Sequence, residues 1–347
     1  MFGLVRKALF KTPPEAAHEL ALESLRLGYA FGMTRLAARR ERLPTTVMGL
    51  DFPNPVGLAA GMDKNGDYID ALGDLGFGSL EVGTVTPRPQ PGNPKPRVFR
   101  LEAVDGLINR LGFNNKGVDH LVRNAERRRF KGVLGINIGK NFDTPIERAH
   151  EDYLVCLAAV YPVADYVTLN ISSPNTAGLR ALHGRAELDG LLGPVIDHRE
   201  ALAGRHGRHV PLALKIAPDL DERAVPEIAA AVTRHGVEAV IATNTTIDRS
   251  GVRDLPHGDE TGGLSGAPVR ERSNEVLSRF RTALEDDIAL VGVGGILCGE
   301  DAAEKVRLGA DLVQFYTGFV YRGPELIAES VRAIRALQDP AVRERAG

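Results

Sequence analysis

Cysteine is scarce. Cys156 and Cys298 are the only two in 347 residues, and they form no C-x-x-C pair. That excludes a disulfide framework and a cysteine-ligated zinc or iron–sulfur centre, and fits a reducing compartment. The nine histidines show no H-x-x-x-H spacing, so no metal site is expected. Charge of one sign is lacking too. The net charge is −2, and no nucleic-acid motif is present, so no nucleic-acid partner is expected. No apolar run approaches the roughly 18 residues that span a bilayer. The first eleven residues are basic and apolar, but no long apolar region or small-residue cleavage site follows, so neither a signal nor a transit peptide is expected. After the first strand-like run the turn reads Gly61-Met62-Asp63-Lys64-Asn65-Gly66, not the G-x-G-x-x-G of a dinucleotide fold.

What is present is an ordered, soluble composition, 43% hydrophobic and 25% charged, with enough apolar residues for a large core. From residue 54 a rhythm begins. Short Val/Ile/Leu/Ala/Gly runs occur at 56–60, 79–83, 134–138, 166–170, 212–216, 239–243, 289–293 and 312–316. They are continuous rather than alternating, as in parallel strands covered on both faces. Helical patterns fall between them, for example at 148–160, 222–234, 301–308 and 324–337. Eight such units predict an α/β fold of the (β/α)8 (TIM) barrel type, with a doubly wound sheet as the alternative.

Residues 1–40 stand apart as an N-terminal amphipathic helical extension, and residues 41–340 are expected to form the barrel. Apolar residues recur at spacings of three and four, Pro13-Pro14 opens the second helix, and Arg26, Arg35, Arg39, Arg40 and Arg42 form a basic face. Such a segment either packs on its own domain or lies on a membrane surface.

Three loops follow barrel runs. Residues 86–97 hold five prolines, read as a stiff loop at the barrel top rather than a polyproline ligand. Residues 101–113 predict extra strands beside it. Residues 176–185 are placed to act as a lid.

Active sites of such barrels form at the carboxyl ends of the strands. There the sequence places Lys64, Thr84, Asn137, Asn170, Ser173, Asn175, Lys215, Thr243, Asn244, Thr245, Gly294-Gly295 and Tyr316-Thr317. This is a hydrogen-bonding cup with positive charge, suited to an anionic, planar, heteroaromatic ligand. The densest part is Asn170-Ile171-Ser172-Ser173-Pro174-Asn175, polar groups that cost about 1–3 kcal/mol each if buried without partners. Ser173 has no adjacent histidine, which argues against hydrolase chemistry. Gly292-Val293-Gly294-Gly295-Ile296 and Tyr316-Thr317-Gly318 follow runs seven and eight. Glycines there read either as tight strand–helix turns or as a phosphate site, and the two turns together favour phosphate. Lys215 lies within an apolar run, where it serves either a structural ion pair or negative charge on a bound cofactor.

These residues carry a resemblance. Ala60–Gly66, Glu81-Val82-Gly83-Thr84-Val85-Thr86-Pro87, Gly92-Asn93-Pro94-Lys95-Pro96-Arg97, Asn109-Arg110-Leu111-Gly112-Phe113-Asn114-Asn115, Asn170–Asn175, Asn244-Thr245-Thr246, Gly262-Gly263-Leu264-Ser265-Gly266 and Gly292–Ile296 occur in one order across nearly the whole chain. In this the chain resembles the dihydroorotate dehydrogenases, specifically the quinone-dependent, membrane-associated class. The resemblance implies a barrel that binds FMN and oxidises dihydroorotate to orotate in pyrimidine biosynthesis. Ala60, Gly61, Met62, Asp63, Lys64, Thr84, Asn137, Asn170, Lys215, Thr243, Gly266, Gly295, Tyr316 and Thr317 would then contact the flavin. Lys64, Asn109, Arg110, Leu111, Gly112, Phe113, Asn170, Asn175, Asn244 and Thr245 would hold the substrate. Ser173 would take the C5 proton, helped by Thr176 or a water, and the C6 hydride would go to N5 of FMN. The other class carries a cysteine at that position. Electrons would pass to ubiquinone or menaquinone between the N-terminal helices, near His18, Arg100 and Tyr316. A monomer at the cytoplasmic face of the cell membrane would follow. The competing readings are a related flavin barrel using fumarate or NAD, a non-flavin barrel acting on a phosphorylated substrate, and a membrane-surface scaffold.

Overall fold

The computed structural model describes residues 2–34, 40–176 and 178–338. Arg35 and Arg39 of the expected basic face, and the last two residues of the expected 41–340 barrel, lie outside the described residues.

The eight apolar runs become eight parallel strands: Val56–Leu58, Ser79–Val85, Val133–Ile138, Tyr166–Asn170, Leu212–Ile216, Ala239–Ala242, Ala289–Val293 and Leu312–Phe315. Each pairs with its sequence neighbour, and the eighth pairs with the first, closing a barrel. Every residue of these strands is buried, which is why the runs read as continuous. Their two faces still differ. Leu134, Val167, Leu212, Leu214 and Leu290 point outward into the layer between barrel and helices. Val133, Tyr166, Ala213, Ile241, Val291 and Leu312 point inward. A short antiparallel hairpin, Thr45–Val47 and Leu50–Phe52, places Val47 and Phe52 in that inner cluster and plugs the barrel's amino end. Toward the carboxyl ends of the strands the inner face turns polar, at Glu81, Asn137, Asn170 and Lys215.

Beside the barrel top, Val98–Leu101 and Gly106–Asn109 form the extra strands expected between 101 and 113. The first of them starts before that window, at the end of the proline loop. A third strand, Gly263–Gly266, pairs with Gly106–Asn109 from far along the chain.

Among the described residues, the helices Phe2–Leu9 and Pro14–Ala30 precede the barrel, the second with Pro14 in its first turn. Arg6 donates to the Tyr321 carbonyl at 2.8 Å, and Phe10 meets the Tyr321 ring edge-on at 5.4 Å. Arg97 pairs with Glu15 at 2.7 Å. The second helix buries Ala17, Leu22 and Gly28. Leu4, Val5, Leu20, Leu27, Phe31 and Met33 remain exposed. No described helix is long and apolar enough to cross a membrane.

Candidate active site

One cavity opens at the carboxyl ends of the strands, with about 1040 Å³ of space up to and including its mouth. That is the size of a pocket for a cofactor with a substrate. Of the expected residues, Ala60, Gly61, Lys64, Thr84, Asn109, Leu111, Gly112, Phe113, Asn170, Ser173, Asn175, Lys215, Thr243, Asn244, Thr245, Gly266, Gly295, Tyr316 and Thr317 line it. One site therefore draws on segments spread over more than 250 residues of sequence.

The floor is a buried polar network. Lys215 Nζ lies 3.5 Å from Glu81 Oε1. Glu81 also accepts from Asn137 Nδ2 at 2.8 Å, Gln314 Nε2 at 3.0 Å and the Tyr166 hydroxyl at 3.1 Å. Asn137 Oδ1 in turn accepts from Thr84 Oγ1 at 2.5 Å and Asn170 Nδ2 at 3.2 Å. Lys215 thus has a structural ion-pair partner and also lines the cavity.

Above the floor, Asn244 Nδ2 donates to Ser172 Oγ at 3.0 Å, and Ser172 donates to Asn170 Oδ1 at 3.0 Å. Asn175 reaches across to the Asn109 carbonyl at 3.2 Å. Ser173 is buried, and its Oγ accepts the Asn175 backbone N–H at 3.2 Å. Its hydroxyl makes no hydrogen bond to Thr176 or to any basic side chain among the described residues. The turn Leu179–His183 covers this wall, held by Arg180, which donates to the Ser172 and Thr245 carbonyls and pairs with Asp219 at 2.7 Å.

On the facing wall Lys64 forms no hydrogen bond or ion pair with the described residues. Burial, reinforced by the charge of Arg97, pulls its ammonium down to about 8. Burial also pushes the Tyr316 phenol up to about 12, keeping it neutral. His18, behind Lys64, is held down to about 3 by burial and then by the Lys64 charge, so it stays uncharged. Arg100 donates to the Phe10 and Thr12 carbonyls at 3.1 and 2.8 Å, with its guanidinium 4.5 Å from the Phe10 ring centroid. It thereby ties the end of the first helix to the barrel.

A third wall is the glycine turn after the seventh strand. Gly294 and Gly295 have φ of 110° and 78°, a region that glycine adopts readily. The backbone N–H groups of Gly295 and Ile296 reach no acceptor among the described residues. Thr317 opens a short helix beside them, and its hydroxyl donates to Ser265 Oγ at 2.8 Å.

Four expected flavin or substrate contacts fall outside the lining, as do His18 and Arg100 of the expected quinone site. Met62 is buried in the apolar core. Asp63 turns away to accept the N–H groups of Tyr68, Asp67 and Asn65, fixing the loop that presents Lys64; burial pushes its carboxyl up to about 6. Asn137 is fully buried beneath Thr84 and Asn170. Arg110 pairs with Glu260 at 2.6 Å and stacks on Phe99. Conversely, Ala59, Pro174, Ser265, Val269, Val293, Ile296, Phe315 and Gly318 line the cavity without having been singled out as contacts. Several flank expected residues, and Ser265 sits inside the quoted 262–266 segment.

A closed parallel barrel with a deep polar cavity at its carboxyl end, a desolvated lysine and unpaired backbone amides at the seventh-strand turn is the site of a barrel enzyme acting on anionic ligands. Comparison with known proteins narrows this. The family model for dihydroorotate dehydrogenase matches residues 42–337. The dihydroorotate dehydrogenase (quinone) of Burkholderia ambifaria is 58% identical over 335 residues, covering 96% of this chain and 97% of that one. The dihydroorotate dehydrogenase (quinone) of Azotobacter vinelandii is 58% identical over 339 residues, covering 97% and 98%. Among solved structures, the Eimeria tenella DHODH in complex with ferulenol superposes with a TM-score of 0.87 at 36% identity, covering 94% of this chain and 92% of that chain. The chain belongs to the dihydroorotate dehydrogenase family.

Proposed function

We propose that the chain oxidises dihydroorotate to orotate with FMN as cofactor and a quinone as final acceptor, in pyrimidine biosynthesis. The observation that carries this is the pairing, in one cavity, of the unpartnered Lys64 ammonium with the Asn109, Asn170, Asn175 and Asn244 wall around Ser173. An ammonium taken out of water without a partner is costly and is best explained as the receptor of an anion. The substrate supplies a carboxylate for Lys64 and a uracil-like ring whose donors and acceptors match the amides.

The residues present fit FMN. The unpaired Gly295 and Ile296 amides would be donors for its phosphate, and Lys215, which lines the cavity, would bring a positive charge to its ring system. FMN, when bound, supplies the hydride acceptor for the C6 hydrogen. Ser173 accepts the C5 proton as its own hydroxyl proton passes toward solvent. Lys64 and the amides hold the ring so that the acidified C5–H faces Ser173 Oγ. Thr84, Asn170 and Thr243 orient the flavin from the strand ends.

The quinone enters between the two N-terminal helices and meets His18, Arg100 and Tyr316. The exposed Leu4, Val5, Leu20, Leu27, Phe31 and Met33 set those helices on the cytoplasmic face of the membrane, as expected of an enzyme whose acceptor lives in the bilayer. A Ser173→Ala variant tests the chemical assignment. It is expected to retain its flavin and lose about 10²–10⁴ in turnover at neutral pH. Full turnover would remove Ser173 as the base.

A further inference from the structure

Behind the glycine turn, outside the cavity, lies a cation that the reaction does not use. Lys305 is 1% exposed, on the helix Gly299–Arg307. Lysine is almost never this buried unless paired, yet Lys305 forms no ion pair among the described residues. Its Nζ donates to Ser273 Oγ at 2.5 Å, and Ser273 is fully buried. Ser273 Oγ is 3.0 Å from both the Gly294 and the Arg270 carbonyl oxygens, so its single proton is shared between them.

The Gly294 carbonyl and the Gly295 N–H belong to one peptide unit, in which they point in opposite directions. A hydrogen bond to that carbonyl therefore aims the Gly295 N–H toward the cavity and strengthens it as a donor. The next carbonyl, of Gly295, is held in the same way by Arg270 Nε at 3.0 Å. Arg270 is in turn paired with Asp301 at 3.0 Å. Arg270 has its carboxylate; Lys305 has none.

We propose that Lys305 is the buried countercharge of a phosphate monoester held at the Gly294–Gly295 turn, acting through Ser273 as a positioning residue. The inference rests on the FMN reading above and adds to it the residue that confers preference for the phosphorylated flavin. The charged groups facing Lys305 are Asp301 and Arg270, which act in opposite directions; burial outweighs both and pulls the ammonium down to about 7. A phosphate dianion arriving at the turn raises that value, so binding takes up a proton near neutral pH.

The test is flavin titration of apoprotein, followed by fluorescence, with FMN and with riboflavin, which lacks the phosphate. Wild-type protein is expected to bind FMN more tightly and to take up protons with FMN but not with riboflavin. Lys305→Met is expected to weaken FMN binding by about 10–100-fold, the effect of one charge-assisted contact, and to leave riboflavin binding within about twofold. Equal losses for both flavins, or no loss, would overturn the inference. Should Lys305→Met fail to fold, Ser273→Ala keeps the charge but cuts the relay, and the same selective loss of FMN binding is required of it. Wild-type protein binding both flavins equally would instead overturn the phosphate reading of the turn, and this inference with it.

Discussion

Replacing Glu81 by Gln should be among the most destabilising isosteric changes in this protein. Glu81 is 1% exposed and serves four donors at once: Lys215, Asn137, Tyr166 and Gln314. The amide removes the negative charge and turns an N–H2 toward donors, so Lys215 is left buried without compensation. Breaking a buried pair from one side costs about 3–5 kcal/mol, and a mismatched donor about 1–3 kcal/mol more. A loss of about 4 kcal/mol corresponds to a fall in melting temperature of about 8 °C, at ~2 °C per kcal/mol for a domain this large. Differential scanning calorimetry of apoprotein at constant pH measures it. Adding Lys215→Met removes the stranded charge, so the double variant should be more stable than the sum of the single losses by at least about 2 kcal/mol. A single-variant loss under about 1 kcal/mol, or additivity within about 0.5 kcal/mol, would refute the claim that the pair bears on the barrel floor.

Alkali should weaken substrate binding through Lys64. Affinity for orotate, followed by fluorescence titration from pH 7 to 9.5, should be flat below about 8 and fall roughly tenfold per pH unit above it, as the ammonium is lost. Because the folded value lies below the unfolded 10.5, the cost of burying this ammonium is borne in full below about 8 and relieved as pH rises toward 10.5. Ligand affinity and the Lys64 contribution to apoprotein stability therefore move in opposite directions; a flat affinity profile would contradict the assignment. Leu27→Ser combined with Phe31→Ser should abolish sedimentation with anionic lipid vesicles while leaving dihydroorotate oxidation by a water-soluble dye intact. Retained sedimentation would place the membrane contact elsewhere.

The barrel was legible because parallel strands buried on both faces leave uninterrupted apolar runs, and all eight were readable as such. Most of the cavity was legible for a related reason. Once the strands are placed, their carboxyl ends must converge, which brings Lys64, Asn170, Lys215 and Tyr316 together. Cross-strand pairing was harder to read. Nothing local marks Glu81 as the partner of Lys215, or Gly263–Gly266 as the third strand beside residues 98–109, because both arise only when distant segments meet. Three-residue strands such as Thr45–Val47 are too short to show a period, so the plug at the barrel's amino end left no signal. Lys305 reads in sequence as one polar residue of an amphipathic helix. Its burial depends on Gly292 in the seventh strand, where an added Cβ would stand 3.0 Å from the Lys305 side chain. Arg110 shows the opposite failure: a cation inside a recognisable motif is engaged by Glu260 and Phe99, partners that the motif does not contain.

The central claim is that this cavity couples dihydroorotate oxidation to a bound flavin and then to a quinone. Anaerobic spectroscopy of the purified, FMN-loaded protein tests it most directly. Dihydroorotate should bleach the visible flavin band, and a quinone should restore it. Protein that is colourless and cannot be reconstituted with FMN, or a flavin band unmoved by dihydroorotate, would contradict the account.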